Sequence, residues 1–185
     1  MQMGKLIEYT LVSADWVFED PVEMGVGRYQ DDAYLRDGLN VLMACRALLF
    51  GRGTYEAFAR LYGVGGTHKP MWANRLSEMR KYVFSSTMEQ PSWRNTAIIR
   101  SDPVAEVQRL KDESEGDLLI LGHGQLAEAL LRRGLTDLID LTIYPFFRGE
   151  GKSFYREGQA ARLDLVTTKV FSSIVKLTYA VHAPA

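Results

Sequence analysis

Short apolar runs alternate along most of this chain with longer stretches whose apolar residues recur at helical spacing. Four of these positions, Leu35, Leu39, Leu42 and Met43, follow each other at intervals that place them on one side of a helix. The apolar runs have the length of strands and occupy residues 5–12, 47–50, 82–84, 96–99, 118–121 and 138–144. Strands that alternate with helices predict a mostly parallel sheet with helices on both faces.

The pattern changes at the end of the chain, where two β-rich stretches follow each other without a helix between them. They cover residues 163–171 and 174–182, and Ser172-Ser173 separates them. We expect them to form an antiparallel hairpin at one edge of the sheet. No linker or repeat interrupts the sequence, so residues 1–185 are predicted to form a single α/β domain.

Two of the predicted strands end in glycine and pass directly into a helix. The first turn reads Gly51-Arg52-Gly53-Thr54, and the second reads Gly122-His123-Gly124-Gln125. Glycine has no Cβ, so the backbone can approach a ligand closely, and a helix start offers unpaired N–H groups to an anion. Two such turns in one domain indicate one extended phosphorylated ligand, such as a dinucleotide.

Composition excludes several other classes of function. The net charge of −1 gives no long-range attraction to nucleic acid or to an anionic membrane, and we expect neither as a partner. No apolar run approaches the roughly 18–20 residues of a membrane-spanning helix. The start of the chain does not have the pattern of a signal peptide, so a cytoplasmic location is expected.

Cysteine and histidine usage argues against disulfides and metal sites. The single cysteine, Cys45, lies in an apolar helical pattern and is expected to be a buried small side chain. The three histidines, His68, His123 and His182, are scattered along the chain, so no metal site is predicted.

Together these segments resemble the dihydrofolate reductase fold, a three-layer αβα arrangement. In particular, the chain is similar to stand-alone relatives of the reductase domain of bacterial riboflavin-biosynthesis deaminase/reductases. The resemblance covers almost the whole chain and is carried by residues 5–15, 49–56, 81–87, 121–126, 134–137 and 145–154. One cysteine cannot supply the zinc site of the deaminase domain, so the resemblance implies the reduction step alone.

The resemblance implies NADPH as the cofactor. It assigns the cofactor-binding positions to Gly51, Arg52, Thr54, Ser85, Ser86, Gly122, His123, Gly124, Gln125 and Leu126. Amides after Gly51 and the Thr54 hydroxyl would bind the pyrophosphate, and Arg52 would pair with pyrophosphate or the 2′-phosphate. Ser85 and Ser86 would donate hydrogen bonds to the 2′-phosphate. The family often has a cis peptide bond in the later glycine turn, which here would join Gly122 to His123.

Some positions depart from the family pattern. His123 stands where the family commonly has glycine or serine, and Gln125 stands where dihydrofolate reductases usually have a basic residue. Trp16 follows Asp15 where relatives often have glycine. The Pro-Trp-rich loop of true dihydrofolate reductases and a matching folate-binding acid are missing, which argues against folate as the substrate.

Several side chains are candidates for the proton donor of a reductase. Asp15 follows the first strand, Asp32 and Asp37 lie on the next helix, and His123 lies in the second glycine turn. Each also has a structural interpretation, as a turn or cap residue, a partner of the helix dipole, or a packed side chain.

The sequence also leaves two interpretations for each residue that could contact the substrate. Trp16 and Trp72 either flank a planar ring or belong to the core. Arg132, Arg133, Arg148 and Lys152 either bind a ribose phosphate or lie exposed.

The favoured hypothesis is an NADPH-dependent reductase of a small heterocyclic or ribosyl substrate. The nearest known reaction is reduction of 5-amino-6-(5-phosphoribosylamino)uracil. A pterin or dihydrofolate reductase is an alternative, as is a nucleotide-binding or regulatory module without turnover. The resemblance also implies a homodimer, to which the apolar stretch from Ile174 to Val181 would contribute.

Overall fold

The computed structural model describes residues 4–63, 70–113, 115–155 and 160–182. The strands are β1 (Leu6–Ser13), β2 (Cys45–Gly51), β3 (Arg80–Phe84), β4 (Thr96–Ile99), β5 (Asp117–Leu121), β6 (Leu138–Tyr144), β7 (Arg162–Phe171) and β8 (Ile174–His182). The α-helices are α1 (Asp32–Ala44), α2 (Arg52–Tyr62), α3 (Pro70–Glu78), α4 (Pro103–Glu113) and α5 (Gln125–Arg132), and a 3₁₀ helix covers Val26–Tyr29.

The strands form one eight-stranded sheet in the order β4-β3-β2-β5-β1-β6-β8-β7. Strands β1 to β6 all pair with one another in parallel. Strand β8 is antiparallel to β6, and β7 is antiparallel to β8. The predicted parallel sheet with an antiparallel C-terminal hairpin is therefore confirmed.

Helices cover both faces of the sheet. On one face Tyr9, Leu48 and Leu119 pack in a core that includes residues of α1, α2 and α3. On the other face Leu6 and Leu49 pack against α4 and α5. Adjacent residues of a strand point to opposite faces, which is why Leu48 and Leu49 belong to different cores. The molecule thus has the three layers that the resemblance implied.

Helix α1 contains Leu35, Leu39, Leu42 and Met43, the positions that were predicted to lie on one side of a helix. Asp31 is its N-cap, and the carboxylate Oδ1 accepts the amide of Tyr34 at 2.8 Å. The helix then passes into β2 without a loop, so Cys45 is the first residue of a strand. The prediction that Cys45 belongs to a helical pattern was wrong. The prediction that it is buried is confirmed, and burial raises the pKa of its thiol to about 12.

The described ranges contain neither a membrane-spanning helix nor a cluster of metal-binding side chains. Within them, the helices are too short or too polar to cross a bilayer. In the same ranges, no three His, Cys, Asp or Glu side chains converge as a set that would hold a metal ion. His68 lies outside the described residues.

Candidate functional site

The two glycine turns lie next to each other, because β2 and β5 are neighbouring parallel strands. A Cβ added to Gly51 would lie 4.0 Å from the Cβ of Leu126, and one added to Gly122 would lie 3.9 Å from Cγ2 of Thr54. The turns line one cleft of about 500 Å³. Its lining comprises Gly51, Arg52, Gly53, Thr54, Phe84, Pro103, Ile120, Leu121, Gly122, Gly124, Gln125, Leu126, Ala127 and Ala129.

Both helices that start at this cleft have glycine as the N-cap. Neither Gly51 before α2 nor Gly124 before α5 supplies a side-chain hydrogen bond to the first turn. The N–H groups of both helix starts are therefore available to an anion, and the helix dipoles add to the attraction. The cleft suits a ligand with two linked phosphates.

Gly122 turns the chain through a backbone conformation that favours glycine. Its φ is +81°, in the left-handed region that other residues rarely adopt. The peptide bond between Gly122 and His123 is trans, so the expectation of a cis bond there was wrong. The change of direction after β5 is made at Gly122 by its positive φ.

Arg52 lies at the mouth of the cleft and already has partners. Its Nε donates to Glu56 Oε1 at 2.7 Å, and its Nη1 donates to Thr87 Oγ1 at 2.7 Å. Half of its side chain is exposed. A phosphate that binds Arg52 would compete with Glu56 for the guanidinium.

Ser85 and Ser86 lie in the turn after β3, which Arg100 holds together. Arg100 donates from Nη1 to the carbonyl of Ser86 at 2.9 Å and from Nη2 to the carbonyl of Met88 at 2.6 Å. Ser85 Oγ accepts the amide of Met88 at 3.0 Å. Neither serine is among the described residues that line the cleft, so contact of Ser85 or Ser86 with a phosphate stays a prediction. Sequence reasoning missed Arg100.

His123 is buried and points away from the cleft. Its Nδ1 lies 2.7 Å from Glu8 Oε1, and both side chains are fully buried. Thr10 Oγ1 donates to the same carboxylate oxygen at 3.0 Å. The imidazole also packs against the rings of Phe18 and Phe154. These contacts favour a role in fixing the glycine turn over one as a proton donor.

Asp15 also has a structural arrangement. Its carboxylate accepts the Ser13 hydroxyl at 2.5 Å, the amide of Gly149 at 2.7 Å and the amide of Arg148 at 3.0 Å. The Ser13 hydroxyl, followed by these two amides, lowers the pKa of Asp15 to about 2. An aspartate that is ionised at neutral pH is poorly suited to donate a proton. The geometry favours Asp15 as the residue that holds the 148–149 turn.

Asp37 belongs to a cluster of paired charges beside β8. Its carboxylate accepts Lys169 Nζ at 2.5 Å and Lys176 Nζ at 2.8 Å. Burial opposes ionisation of Asp37, but the two lysines outweigh it and lower its pKa. Lys176 also bonds Asp140 at 2.8 Å. Asp32 lies exposed in the first turn of α1, where it suits the helix dipole.

A second, aromatic cavity of about 130 Å³ lies on the sheet face covered by α1, α2 and α3. It shares Leu121 and Gly122 with the cleft, so the two spaces meet at the end of β5. Trp72 lines this cavity, whereas Trp16 is 42% exposed and is not in the described lining. The full lining is Tyr9, Leu11, Phe18, Pro21, Gln30, Tyr34, Leu35, Phe58, Tyr62, Trp72, Leu121 and Gly122.

Tyrosine hydroxyls form a hydrogen-bonded chain beside this cavity. Tyr9 and Tyr144 both donate to the Tyr34 oxygen, at 2.9 and 3.2 Å, and Gln30 Nε2 donates to Tyr144 at 3.0 Å. Burial raises the pKa of all three tyrosines well above the ordinary value. The hydroxyls are therefore neutral at physiological pH.

The site thus places an anion-binding cleft beside an aromatic cavity. Sequence reasoning found the glycines, Arg52, Thr54, Gln125 and Leu126, which the structure brings together. It missed Glu8 and the tyrosines of the cavity. A glutamate at an inward position of the apolar run Leu6–Ser13 was the signal that could have identified Glu8.

Comparison with known proteins identifies related families. A model of the family described as the RibD C-terminal domain matches residues 31–177. The uncharacterized protein YyaP of Bacillus subtilis is 30% identical over 171 residues, which are 89% of this chain and 82% of that protein.

Solved structures share the fold. A putative riboflavin biosynthesis protein from Shewanella matches with a TM-score of 0.77 and 18% identity, over 96% of this chain and 99% of that one. The riboflavin biosynthesis reductase Rib7 of Saccharomyces cerevisiae matches with a TM-score of 0.61 and 16% identity, over 98% of this chain and 91% of that one.

A longer protein from Thermotoga maritima, a diaminohydroxyphosphoribosylaminopyrimidine deaminase/5-amino-6-(5-phosphoribosylamino)uracil reductase, matches with a TM-score of 0.67 and 16% identity. The match covers 97% of this chain and 57% of that protein. The expected dihydrofolate reductase-like fold and the resemblance to riboflavin-type reductase domains are confirmed.

Proposed function

Because the chain belongs to the RibD C-terminal domain family, we propose that it is an NADPH-dependent reductase of a small heterocyclic or ribosyl substrate. The nearest known reaction is reduction of 5-amino-6-(5-phosphoribosylamino)uracil, the activity named for the Thermotoga maritima protein. A reductase of this kind needs a long anion-binding groove for the dinucleotide and a pocket for the acceptor beside the nicotinamide.

One observation carries the proposal. The cleft between the two glycine turns and the aromatic cavity meet at Leu121 and Gly122. A dinucleotide stretched along the cleft would end at this junction, where a ring in the cavity could lie against it. Ligands of open α/β sheets bind outside the carboxyl ends of the strands, which is where both spaces lie.

The residues present fit a dinucleotide phosphate. The uncapped starts of α2 and α5 would hold the pyrophosphate through backbone N–H groups, and Arg52 would pair with a phosphate oxygen. When bound, NADPH supplies a hydride to the acceptor. The protein's part is to orient the two rings and to exclude water from the junction.

Protection from thermal unfolding tests whether the chain binds the coenzyme. At 100 times its dissociation constant, a ligand stabilises the native state by about 2.7 kcal/mol. For a domain of this size we expect a rise in melting temperature of about 5–11 °C with NADPH. The absence of any rise with either NADPH or NADH would refute the reductase proposal.

A matched pair of glycine variants locates the binding. A Cβ on Gly124 would meet no atom within 4 Å, and neither would one on Gly27, which lies outside the cleft. Both alanine variants should fold. Gly124→Ala adds a methyl group inside the cleft and should weaken NADPH binding by about 5- to 150-fold, as overpacking by 1–3 kcal/mol implies. Gly27→Ala should leave it unchanged.

Turnover separates the proposed reductase from its alternatives. Loss of nicotinamide absorbance would be followed with pyrimidine ribosyl phosphates, pterins and dihydrofolate. Reduction of a pterin or of dihydrofolate alone would favour a pterin or dihydrofolate reductase. Tight NADPH binding without turnover of any acceptor would favour a regulatory module on the same fold.

A further inference from the structure

We propose that the aromatic cavity binds an uncharged, single-ring heterocycle, which it recognises through hydroxyl and indole groups without using a phosphate. This inference rests on the proposed function, because the coenzyme is what would make the bound ring an acceptor. It narrows the substrate to a class that differs from the phosphoribosyl compound named for the Thermotoga maritima relative.

The lining of the cavity is neutral. None of the described residues that form it is Asp, Glu, Lys, Arg or His, and its polar atoms belong to tyrosines, Gln30 and Trp72. A phosphate moved into such surroundings would lose its hydration without gaining a charged partner, which costs several kcal/mol or more. A neutral ring loses far less, because apolar area and hydrogen bonds replace the water.

Among the described residues near the cavity, three basic side chains, Arg148, Lys152 and Lys176, already have partners. Glu19 lies on the segment that contributes Phe18 and Pro21 to the lining. It holds Lys152 Nζ at 2.5 Å through its carboxylate, and its carbonyl accepts Arg148 Nη1 at 2.8 Å.

Behind Tyr9, Lys176 lies 5.1 Å from the ring centroid and is held by two aspartates. A phosphate would have to displace these bonds to pair with any of these three described cations.

In this proposal the indole N–H of Trp72, a residue of the cavity lining, donates to the bound ring. Its Nε1 is buried and has no hydrogen-bond partner among the described residues. Gly38 of α1 leaves room for the indole ring, because a Cβ at this position would lie 2.7 Å from Trp72 Cζ2. A buried unpaired donor costs about 1–3 kcal/mol, which a carbonyl or ring nitrogen of a ligand would recover. In the same proposal the hydroxyl of Tyr34, another residue of the lining, is a second polar contact.

The size of the cavity selects a single ring. Its volume of about 130 Å³ is close to that of an engineered cavity, about 150 Å³, that holds benzene. The opening toward Gly122 leaves a substituent of the ring, such as a ribosyl group, on the side of the coenzyme cleft.

The reaction balances without a further reductant. A carbon of a C=N or C=O bond in the substrate receives hydride, and the π electron pair moves to the nitrogen or oxygen. That atom takes a proton from water. The two electrons come from NADPH, which leaves as NADP⁺.

Equilibrium binding tests the inference separately from activity. Calorimetry on the full chain would compare 5,6-diaminouracil, its riboside and 5-amino-6-(5-phosphoribosylamino)uracil. We expect the two uncharged probes to bind at least as tightly as the phosphorylated one. Tenfold tighter binding of the phosphorylated compound would overturn the inference. So would the failure of both uncharged probes to bind at about 1 mM, a free energy near −4 kcal/mol.

Tryptophan variants test the recognition. Trp72→Phe keeps an aromatic ring but removes the N–H, and should weaken the uncharged probes by about 2- to 12-fold, as loss of one hydrogen bond implies. NADPH binding should not change. Trp16→Phe is the matched control and should alter neither. Equal affinity of wild type and Trp72→Phe for the probes would refute the assigned contact.

A second variant moves Trp72 without removing its donor. Gly38→Ala should displace the indole and weaken the uncharged probes while NADPH binding persists. Unchanged probe binding in this variant would contradict the assignment of the cavity. Absence of NADPH binding in the wild type would overturn the proposed reductase, whereas the probe comparison decides the cavity by itself.

Discussion

Replacement of Glu8 by alanine should be among the most damaging single changes in this chain. The Glu8 and His123 side chains are fully buried, and Oε1 of Glu8 is 2.7 Å from His123 Nδ1. The same oxygen accepts the Thr10 hydroxyl at 3.0 Å. The change leaves two buried polar groups without a partner, at a cost of about 1–3 kcal/mol each.

The expected loss of stability follows from this geometry. Two unpaired groups, and the cavity left by the side chain, imply about 3–5 kcal/mol, the range measured when one partner of a buried pair is removed. For a domain of this length, that lowers the melting temperature by roughly 6–20 °C. Glu8→Gln keeps the shape and one acceptor, so it should cost less.

Urea unfolding of four chains provides the assay: wild type, Glu8→Ala, His123→Ala and the double variant. If the two residues support each other, their effects will be non-additive by more than about 1 kcal/mol. Glu113→Ala is the control, since it removes one exposed ion pair with Arg109 and should change stability by less than about 1 kcal/mol. A loss below 1 kcal/mol for Glu8→Ala, or strictly additive effects, would refute the reasoning.

The same pair should matter for the coenzyme. His123 lies between Gly122 and Gly124, whose backbone lines the cleft. Without Glu8 the imidazole loses its fixed position, and the turn would have to be ordered again at each binding event. We therefore expect the Glu8→Ala variant, measured at a temperature where it is folded, to bind NADPH more weakly than both the wild type and the Glu8→Gln variant.

Four further outcomes follow from the structure. Asp15 has a pKa of about 2, below the unfolded value of about 3.9, so its stabilising effect is present above pH 4 and lost toward pH 2. Asp15→Asn should remove this fall in the free energy of unfolding, measured by urea unfolding between pH 4 and pH 2. Burial lowers the pKa of Lys81 to about 8, so the free energy of unfolding should rise between pH 8 and about 10.4. Lys81→Met should abolish this rise, and parallel curves of unfolding free energy against pH for wild type and variant would contradict the prediction. Arg52→Ala should weaken NADPH more than NADH in calorimetry, and equal losses would show that Arg52 does not bind the 2′-phosphate. We propose a homodimer through β7, where Leu165, Val166 and Val170 are 58%, 57% and 68% exposed; Val170→Lys should give monomers in light scattering, whereas Val22→Lys should not.

The sequence predicted the parts of this fold that local patterns determine. Strand β6 has the predicted bounds, Leu138–Tyr144, because seven largely apolar residues lie between clear breaks. The α1–β2 junction was harder, since the helix passes into the strand with neither glycine nor proline to mark the change. The identity of the strand at the edge of the sheet was also hard to predict. The stretch from Ile174 to Val181 was predicted as a strand of the C-terminal hairpin, but the sequence did not show that β8 would lie between β6 and β7 and leave β7 at the edge.

The glycine turns were predictable because each is a local feature, and parallel strands bring the carboxyl ends of β2 and β5 to one edge. The remaining site depends on pairs that are distant in sequence. Glu8 meets His123 across 115 residues, and Tyr34 meets Tyr144 across 110. Each of these residues alone has the pattern of an ordinary strand or helix position. Their chemistry arises only where the sheet order places β5 and β6 on either side of β1. That order is set by tertiary packing, so the polar character of the cavity could not be predicted from local sequence.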